Sequence, residues 1–475
     1  MNFNNTFTFL PKIFYENVEP TPLKEATLFA LNQKLKANLE LNIADNDLLN
    51  WFNGTVRLPN DQRISTRYAG HQFGVWAGQL GDGRAISIGE LCLDDNFKSR
   101  YEIQTKGSGQ TPFSRFGDGR AVLRSSVREY LCSEHMNALG VPTTRALALI
   151  LGTDQVHRET IERSALVVRV FPTNIRFGHF EYAFHENLSH ELQQLIEYCR
   201  TYFYPECLTI EDMILQITLN TAQMVAHWMS IGFCHGVMNS DNMSILGITI
   251  DYGPYGFMED YNPNWICNHS DERGRYSYIN QPQVALWNID RLLWCFSDLI
   301  EKPKLQFVFD SFYPEFLKTK LQLFKVKFGF AFNLPNDEDL INEFLRILET
   351  QKLDFTYSFR QLGNLVTEPY DSLVTTDYFK KPYWNDWIVK YKNRLQVESC
   401  TNEELKNRIL KNNPKYILRN YIAQEIIEAV EKNNTELFDK WYNVLITPYE
   451  EHIEFDKYSQ PTPEPFKNII LSCSS

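Results

Sequence analysis

His235-Gly236-Val237-Met238-Asn239-Ser240-Asp241-Asn242, the apolar run Met243 to Ile250, and then Asp251-Tyr252-Gly253 form the stretch that decides how this chain is built. Asn242 and Asp251 offer hard oxygen donors of the kind that hold Mg²⁺ or Mn²⁺ against phosphates. Asp241 is the only carboxylate between His235 and Asn242, and so the only group in that loop able to accept a proton. The run between the two acidic positions has strand character. Taken piecemeal, Asp-Asn also reads as a turn and Asp-Tyr-Gly as a loop; their order after a long buried helix favours the chemical reading. That helix is announced by Thr209-Ile210-Glu211-Asp212, an N-cap with acid in the first turn, and by Ile210, Met213, Ile214, Ile217, Met224, Val225 and Trp228 at helical spacing.

The same order of elements is the catalytic loop and metal-binding aspartate of protein kinases. One position departs from it. In H-R-D-x-x-x-x-N the base stands two residues after His, and here that residue is Val237, while Asn242 keeps its distance from His235. With Asp241 as the remaining base, nucleophile and attacked phosphate must sit differently from those of an ordinary kinase.

Upstream, the texture is short strands and glycine turns: Ala85 to Gly89, Tyr101 to Lys106, Thr144 to Ile150 and Ala165 to Phe171 read as strands, and Arg120 to Leu139 as one long helix. Gly-Asp-Gly-Arg-Ala occurs twice, at Gly81 to Ala85 and Gly117 to Ala121. Such turns let backbone amides cradle phosphate, although plain hairpin turns use the same residues. Lys106 ends a strand and Glu129 lies on a half-buried face of the following helix, the arrangement by which kinases position phosphates; a solvated lysine and a surface glutamate remain the alternative on this pair alone. Arg169 and Arg176 flank the end of the last strand and are suited to gripping pyrophosphate, with surface salt bridging as the competing reading.

The expected class is therefore α+β, a bilobal protein-kinase-like fold with helical extensions at both ends. Residues 1–58 are expected as a mostly helical extension, 59–185 as the N-lobe, 186–330 as the C-lobe, and 331–475 as a helical extension with a Pro-rich, extended tail. Helices are expected from Glu403 to about Leu445, punctuated by Asn412-Asn413-Pro414.

A chain of 475 residues is long enough for two or three packed units. Its net charge of −12 disfavours nucleic acid as a partner, and no stretch has the uncharged apolar length of a membrane span. The start shows neither a signal nor a transit pattern, so a cytoplasmic setting is expected. Nine scattered cysteines without a C-x-x-C pair exclude a zinc framework and predict mostly buried thiols. In His185-Glu186-Asn187-Leu188-Ser189-His190 the histidines are five apart and diverge on a helix, which disfavours a zinc protease, and no P-loop motif is present.

Tyr68-Ala69-Gly70-His71-Gln72-Phe73-Gly74, Lys106-Gly107-Ser108-Gly109 with Thr111-Pro112-Phe113-Ser114-Arg115, His235 to Gly253, Cys267-Asn268-His269-Ser270-Asp271 and Asn413-Pro414-Lys415-Tyr416 resemble the selenoprotein O family over nearly the whole chain. The resemblance implies a pseudokinase that binds ATP flipped and moves AMP onto Ser, Thr or Tyr of proteins, with UMP transfer from UTP also associated with bacterial members. Flipping would put the α-phosphate under attack and explain Val237. By motif, Gly81, Gly83 and Arg84 are implied as the first phosphate loop, Lys106 as a phosphate contact oriented by Glu129, and Asp118 with Gly119 in the second loop. Arg169 and Arg176 are implied on the terminal phosphates, Asp241 as base, and Asn242 with Asp251 as ligands of Mg²⁺ or Mn²⁺, Asp251 also meeting the nucleotide. Many eukaryotic members carry selenocysteine near the C-terminus, where this chain has Cys473; a regulatory disulfide with Cys267 is the corresponding expectation. Two other activities stay open on the sequence: γ-phosphate transfer by a conventional kinase, and a silent nucleotide-binding scaffold.

Overall fold

The computed structural model describes residues 2–94, 99–366, 377–467, 469 and 471. Its strands are β1 (Asn2–Asn4), β2 (Tyr15–Asn17), β3 (Thr27–Leu31), β4 (Ile64–Thr66), β5 (Ala69–Gln72), β6 (Val75–Gln79), β7 (Ala85–Cys92), β8 (Arg100–Lys106), β9 (Ala121–Val122), β10 (Arg145–His157), β11 (Ile161–Phe171), β12 (Phe233–Cys234) and β13 (Gly256–Phe257). Nine of them form one sheet in the order β2-β4-β7-β8-β11-β10-β3, with β1 added on β7 and β9 on β11, every pairing antiparallel. The pairs β5-β6 and β12-β13 stand apart from it.

The helices begin with α1 (Gln33–Asn38), α2 (Asp45–Phe52), α3 (Leu123–Ala138), α4 (Phe177–His185), α5 (Ser189–Phe203) and α6 (Ile210–Ser230). After the loop that carries Asp241 and Asp251, the chain is nearly all helix: α7 (Gln281–Trp294), α8 (Lys302–Asp310), α9 (Phe312–Lys327), α10 (Asp337–Gln351), α11 (Phe355–Leu365), α12 (Asn385–Leu395), α13 (Asn402–Asn412), α14 (Asn420–Glu431) and α15 (Thr435–Ile446). The fold is mixed α+β. No described helix is long and apolar enough to cross a membrane.

Strand alternation explains the layers. Along β11, Leu166, Val168 and Val170 join a core with Trp51 and Phe52 of α2, while Ala165 and Val167 face the opposite core with Leu123, Val127, Tyr130 and Leu131 of α3. The sheet is thus sandwiched between the N-terminal helices and α3. A third core of Phe328, Phe344, Phe359, Trp384 and Trp387 holds α9 to α12 together.

Two expectations need correction. Residues 1–58 are not mostly helical: β1, β2 and β3 all enter the sheet, and only α1 and α2 are α-helical. Thr27 to Leu31 has a helix-friendly neighbourhood, yet Leu28, Ala30 and Leu31 pair with Ile150, Leu149 and Ala148, and that long-range ladder overrides local propensity. Met243 to Ile250 is not a strand either. Ser244 and Thr249 make isolated bridges to Arg176 and Thr143, and of the apolar side chains between them Ile245 is buried and Leu246 and Ile248 are half-buried, without a continuous ladder. By contrast, Thr209 caps α6 through a reciprocal box with Asp212, as its sequence predicts.

Candidate active site

A cavity of about 670 Å³ lies where β7, β8 and β11 end above the loop 237–254. Gly81, Gly83, Arg84, Lys106, Asp118, Gly119, Arg169, Arg176, Asp241, Asn242 and Asp251 all line it. These residues come from positions up to 170 apart in the sequence, so only the tertiary fold brings them together.

The two glycine turns are stacked on each other. Asp82 accepts from the Thr66 amide at 3.0 Å and the Thr66 hydroxyl at 2.6 Å, which anchors the first turn with Gly81 and Gly83 at the cavity wall. Thr111 donates to the Asp82 carbonyl at 2.8 Å and so ties the second loop to the first. Gly119 is required there: its φ is +72°, and a Cβ would stand 2.0 Å from the Gly109 carbonyl carbon. Asp118 accepts two bonds from Arg158, at 2.8 and 2.9 Å, and burial is too slight to offset them, so its carboxyl is held below the usual range.

Beneath the loops runs a line of alternating charge. Lys106 Nζ donates to Glu129 Oε2 at 2.6 Å, Arg169 donates to the other Glu129 oxygen and, at 2.7 Å, to Asp251 Oδ1, and Arg176 pairs with Asp251 Oδ2. Burial pushes Lys106 down to about 8, reinforced by neighbouring Arg169. For Asp251 burial acts upward, but Arg176 and Arg169 outweigh it and hold the carboxyl well below the ordinary range. Glu129 follows the same logic: burial opposes ionisation, and Arg169 with Lys106 prevails. Six Lys and Arg side chains against four Asp line the cavity, so a chain of net charge −12 presents a basic pocket here.

Asp241 is different. It is 7% exposed, its Oδ1 has no hydrogen-bond partner among the described residues, and burial raises its pKa to about 7. Its one side-chain donor is Gln72 Nε2 at 3.3 Å. The β5-β6 hairpin presses on this carboxylate so closely that a Cβ at Gly70 would lie 2.9 Å from Asp241 Cβ. His71 N donates to Ser240 Oγ at 2.7 Å, and Phe73 N to Asn239 Oδ1 at 3.1 Å, locking the hairpin onto the loop. His71 is itself held by Glu181 at 2.5 Å. Val237 lines the same cavity with nothing to offer a proton.

The donor set fits a divalent cation that brings its own phosphate oxygens. Asn242 Nδ2 is committed to the Val237 carbonyl at 3.0 Å, so Oδ1 is the atom that would meet a cation. Among the described residues no group of three or more His, Cys, Asp or Glu is placed to hold a metal.

Cys267 does not enter the cavity. It is buried, its thiol donates to the Cys234 carbonyl at 3.3 Å, and burial pushes its pKa well up. Cys473 lies outside the described residues, but the carbonyl of Leu471 accepts from the His269 amide at 2.7 Å, two residues past Cys267. The eight described cysteines carry free thiols, six of them buried.

Several lining residues escaped the sequence reading. Tyr68 lies under the Arg176 guanidinium, 4.9 Å from ring centroid to Cζ, and Gln72 touches Asp241; both sit in a quoted motif to which no role was attached. Arg158 stands at the β10-β11 hairpin, where no local signal marks it.

Paired glycine loops, a Lys-Glu-Arg line and an isolated carboxylate together suit a ligand rich in phosphate oxygens. The family model "Protein adenylyltransferase SelO" matches residues 1–446, and the chain belongs to that family. It is similar to the protein nucleotidyltransferase YdiU of Yersinia pseudotuberculosis serotype O:1b (strain IP 31758), 39% identical over 486 residues covering 100% of this chain and 99% of that protein. The YdiU proteins of Herminiimonas arsenicoxydans and Marinomonas sp. (strain MWYL1) are 42% and 41% identical, covering 99% of this chain in each case and 96% and 99% of the relatives.

Proposed function

We propose that this chain binds ATP in a bilobal, protein-kinase-like arrangement and moves AMP from it onto Ser, Thr or Tyr hydroxyls of other proteins. The observation that carries this reading is Asp241: a buried carboxylate with one unpartnered oxygen, facing the cavity from four residues beyond the position where a kinase keeps its base, which is Val237 here.

The Gly81–Arg84 and Asp118–Gly119 loops bind the polyphosphate through backbone amides. Lys106, oriented by Glu129, meets the phosphates, and Arg169 and Arg176 take the terminal pair as bidentate partners. In doing so the arginines exchange Asp251 for phosphate, which frees the aspartate. Mg²⁺ or Mn²⁺, held by Asn242 and Asp251, would offset negative charge on the phosphates. Asp241 accepts the proton of the acceptor hydroxyl; the hydroxyl oxygen bonds to the α-phosphorus, and the bond to the bridging oxygen breaks, releasing pyrophosphate into the arginine grip.

ATP labelled at either the α- or the γ-phosphate separates the activities. Incubated with metal and acceptor protein, α-label alone should be retained on protein. Retention of γ-label alone would instead mean a conventional kinase, and retention of neither a silent scaffold.

The Cys267–Cys473 disulfide belongs to the same reading as a regulatory strap. The bond from the His269 amide to the Leu471 carbonyl supports it, since it joins residues two positions from each of the two cysteines. Intact-mass analysis after differential alkylation should find the pair joined under oxidising conditions; two free thiols there would end the idea.

A further inference from the structure

A second cavity, of about 520 Å³, opens beside the first, and Phe73 lines both. Its other walls are the loop Ser270–Arg275 and the start of α7, including Val284 and Trp287. We propose that this cavity seats the protein acceptor, and that it selects a hydroxyl flanked by Asp or Glu. The inference rests on the transfer reading above and names the acceptor that reading leaves open.

Three observations carry it. First, the wall between the cavities is rigidly tied to the base. Phe73 N donates to Tyr276 OH at 2.9 Å and to Asn239 Oδ1 at 3.1 Å, and Tyr276 OH closes the triangle on Asn239 Oδ1 at 2.6 Å, two residues before Asp241. A chain segment lying over Phe73 therefore reaches the mouth of the cavity where Asp241 stands. The Phe73 ring itself is 39% exposed and held at a φ of +50°, an unusual conformation for a bulky residue and one kept in place by those bonds.

Second, the cations of this cavity lack carboxylate partners. Arg273 and Arg275 make no ion pair among the described residues, in a protein whose arginines are elsewhere largely paired and whose net charge is −12. Asp271, the nearest acid, is already engaged: its two oxygens accept from the amides of Arg275 at 3.0 Å and Tyr276 at 2.7 Å. Glu272 is the other acid of this wall, and among the described residues neither acid makes an ion pair with Arg273 or Arg275, so both guanidiniums remain open to a carboxylate from outside.

Third, Arg275 is held ready rather than left floating. Its guanidinium lies 4.8 Å from the Trp287 ring centroid and covers Gly74 so tightly that a Cβ there would come within 2.9 Å of it. A planar guanidinium fixed against an aromatic wall is suited to bidentate capture of a carboxylate, and a volume of 520 Å³ falls in the range of ligand sites.

The test uses the full chain, ATP with α-label, and three synthetic peptides that carry one Ser, Thr or Tyr hydroxyl flanked by Glu, Ala or Lys. The Glu peptide should have a KM about tenfold below the Lys peptide at similar kcat. Arg275→Glu should invert that order while the affinity for ATP, read by calorimetry, stays within twofold. Arg273→Glu, at an exposed position, should shift the preference the same way and stands in if Arg275→Glu fails to fold. Equal KM values for the three peptides in the unmodified protein, or a preference that neither variant shifts, would overturn the acceptor assignment alone. Absence of α-label on every acceptor despite ATP binding would overturn the transfer reading, and this inference with it.

Discussion

Replacing Asp251 with alanine is expected to reduce AMP transfer by about a thousandfold or more and to destabilise the protein by about 3 kcal/mol. Both losses follow from what its two oxygens do. One meets Arg169 at 2.7 Å and the other meets Arg176, two guanidiniums that are almost entirely buried. Alanine leaves these charges without their carboxylate, and breaking one side of a buried pair costs far more than the pair contributes. The backbone adds to this, since Asp251 sits at a φ of +58°, where aspartate is tolerated better than alanine. Asp251→Asn keeps an oxygen ligand and should recover part of the stability with little of the activity. Denaturant unfolding alongside α-label transfer checks both. Undiminished labelling in the alanine variant would refute the ligand assignment.

Asp241→Asn is expected to lower transfer by about 10²–10⁴-fold and yet to raise stability by about 2 kcal/mol. Asp241 is buried, its Oδ1 is unpartnered, and Arg176 reaches only its backbone carbonyl, at 2.9 Å. The neutral amide escapes the desolvation that lifts the carboxyl from 3.8 to about 7. In the metal-free, nucleotide-free protein the folded carboxyl keeps its proton to about pH 7, while the unfolded chain releases it near pH 4. The native state therefore loses stability as pH rises through that interval. The advantage of the variant should be absent below about pH 4 and full above about pH 7. Melting curves across pH are the check, and a variant less stable than the parent at pH 8 would contradict the burial argument. Two carboxylates ten residues apart thus differ in sign: one is held down by cations and supports the fold, the other is isolated and strains it.

What was legible in the sequence was chemistry that local order encodes. The run from His235 to Gly253 announces its oxygen donors by type and spacing, and Lys106 with Glu129 by their place on a strand and the next helix; the structure joins that pair at 2.6 Å. Cap and period located α6, and β-rich runs located β7, β8, β10 and β11. The failures share one cause, pairing at long range. Thr27 to Leu31 becomes a strand because β10 offers an edge more than a hundred residues away, and Met243 to Ile250 loses its ladder because it is packed between distant elements. Gln72 and Arg158 were invisible for the same reason. Their types are common on surfaces, and only the fold sets one against Asp241 and the other against Asp118.

The line from Lys106 through Glu129, Arg169 and Asp251 to Arg176 is already satisfied within itself. A lone inorganic anion competing for Arg169 and Arg176 could replace only a fraction of these contacts. A triphosphate presents enough oxygens along its length to supplant them together. A ligand that is to reach Arg169 and Arg176 therefore has to replace the oxygens of Glu129 and Asp251, and it can do so only by offering several oxygens in a row.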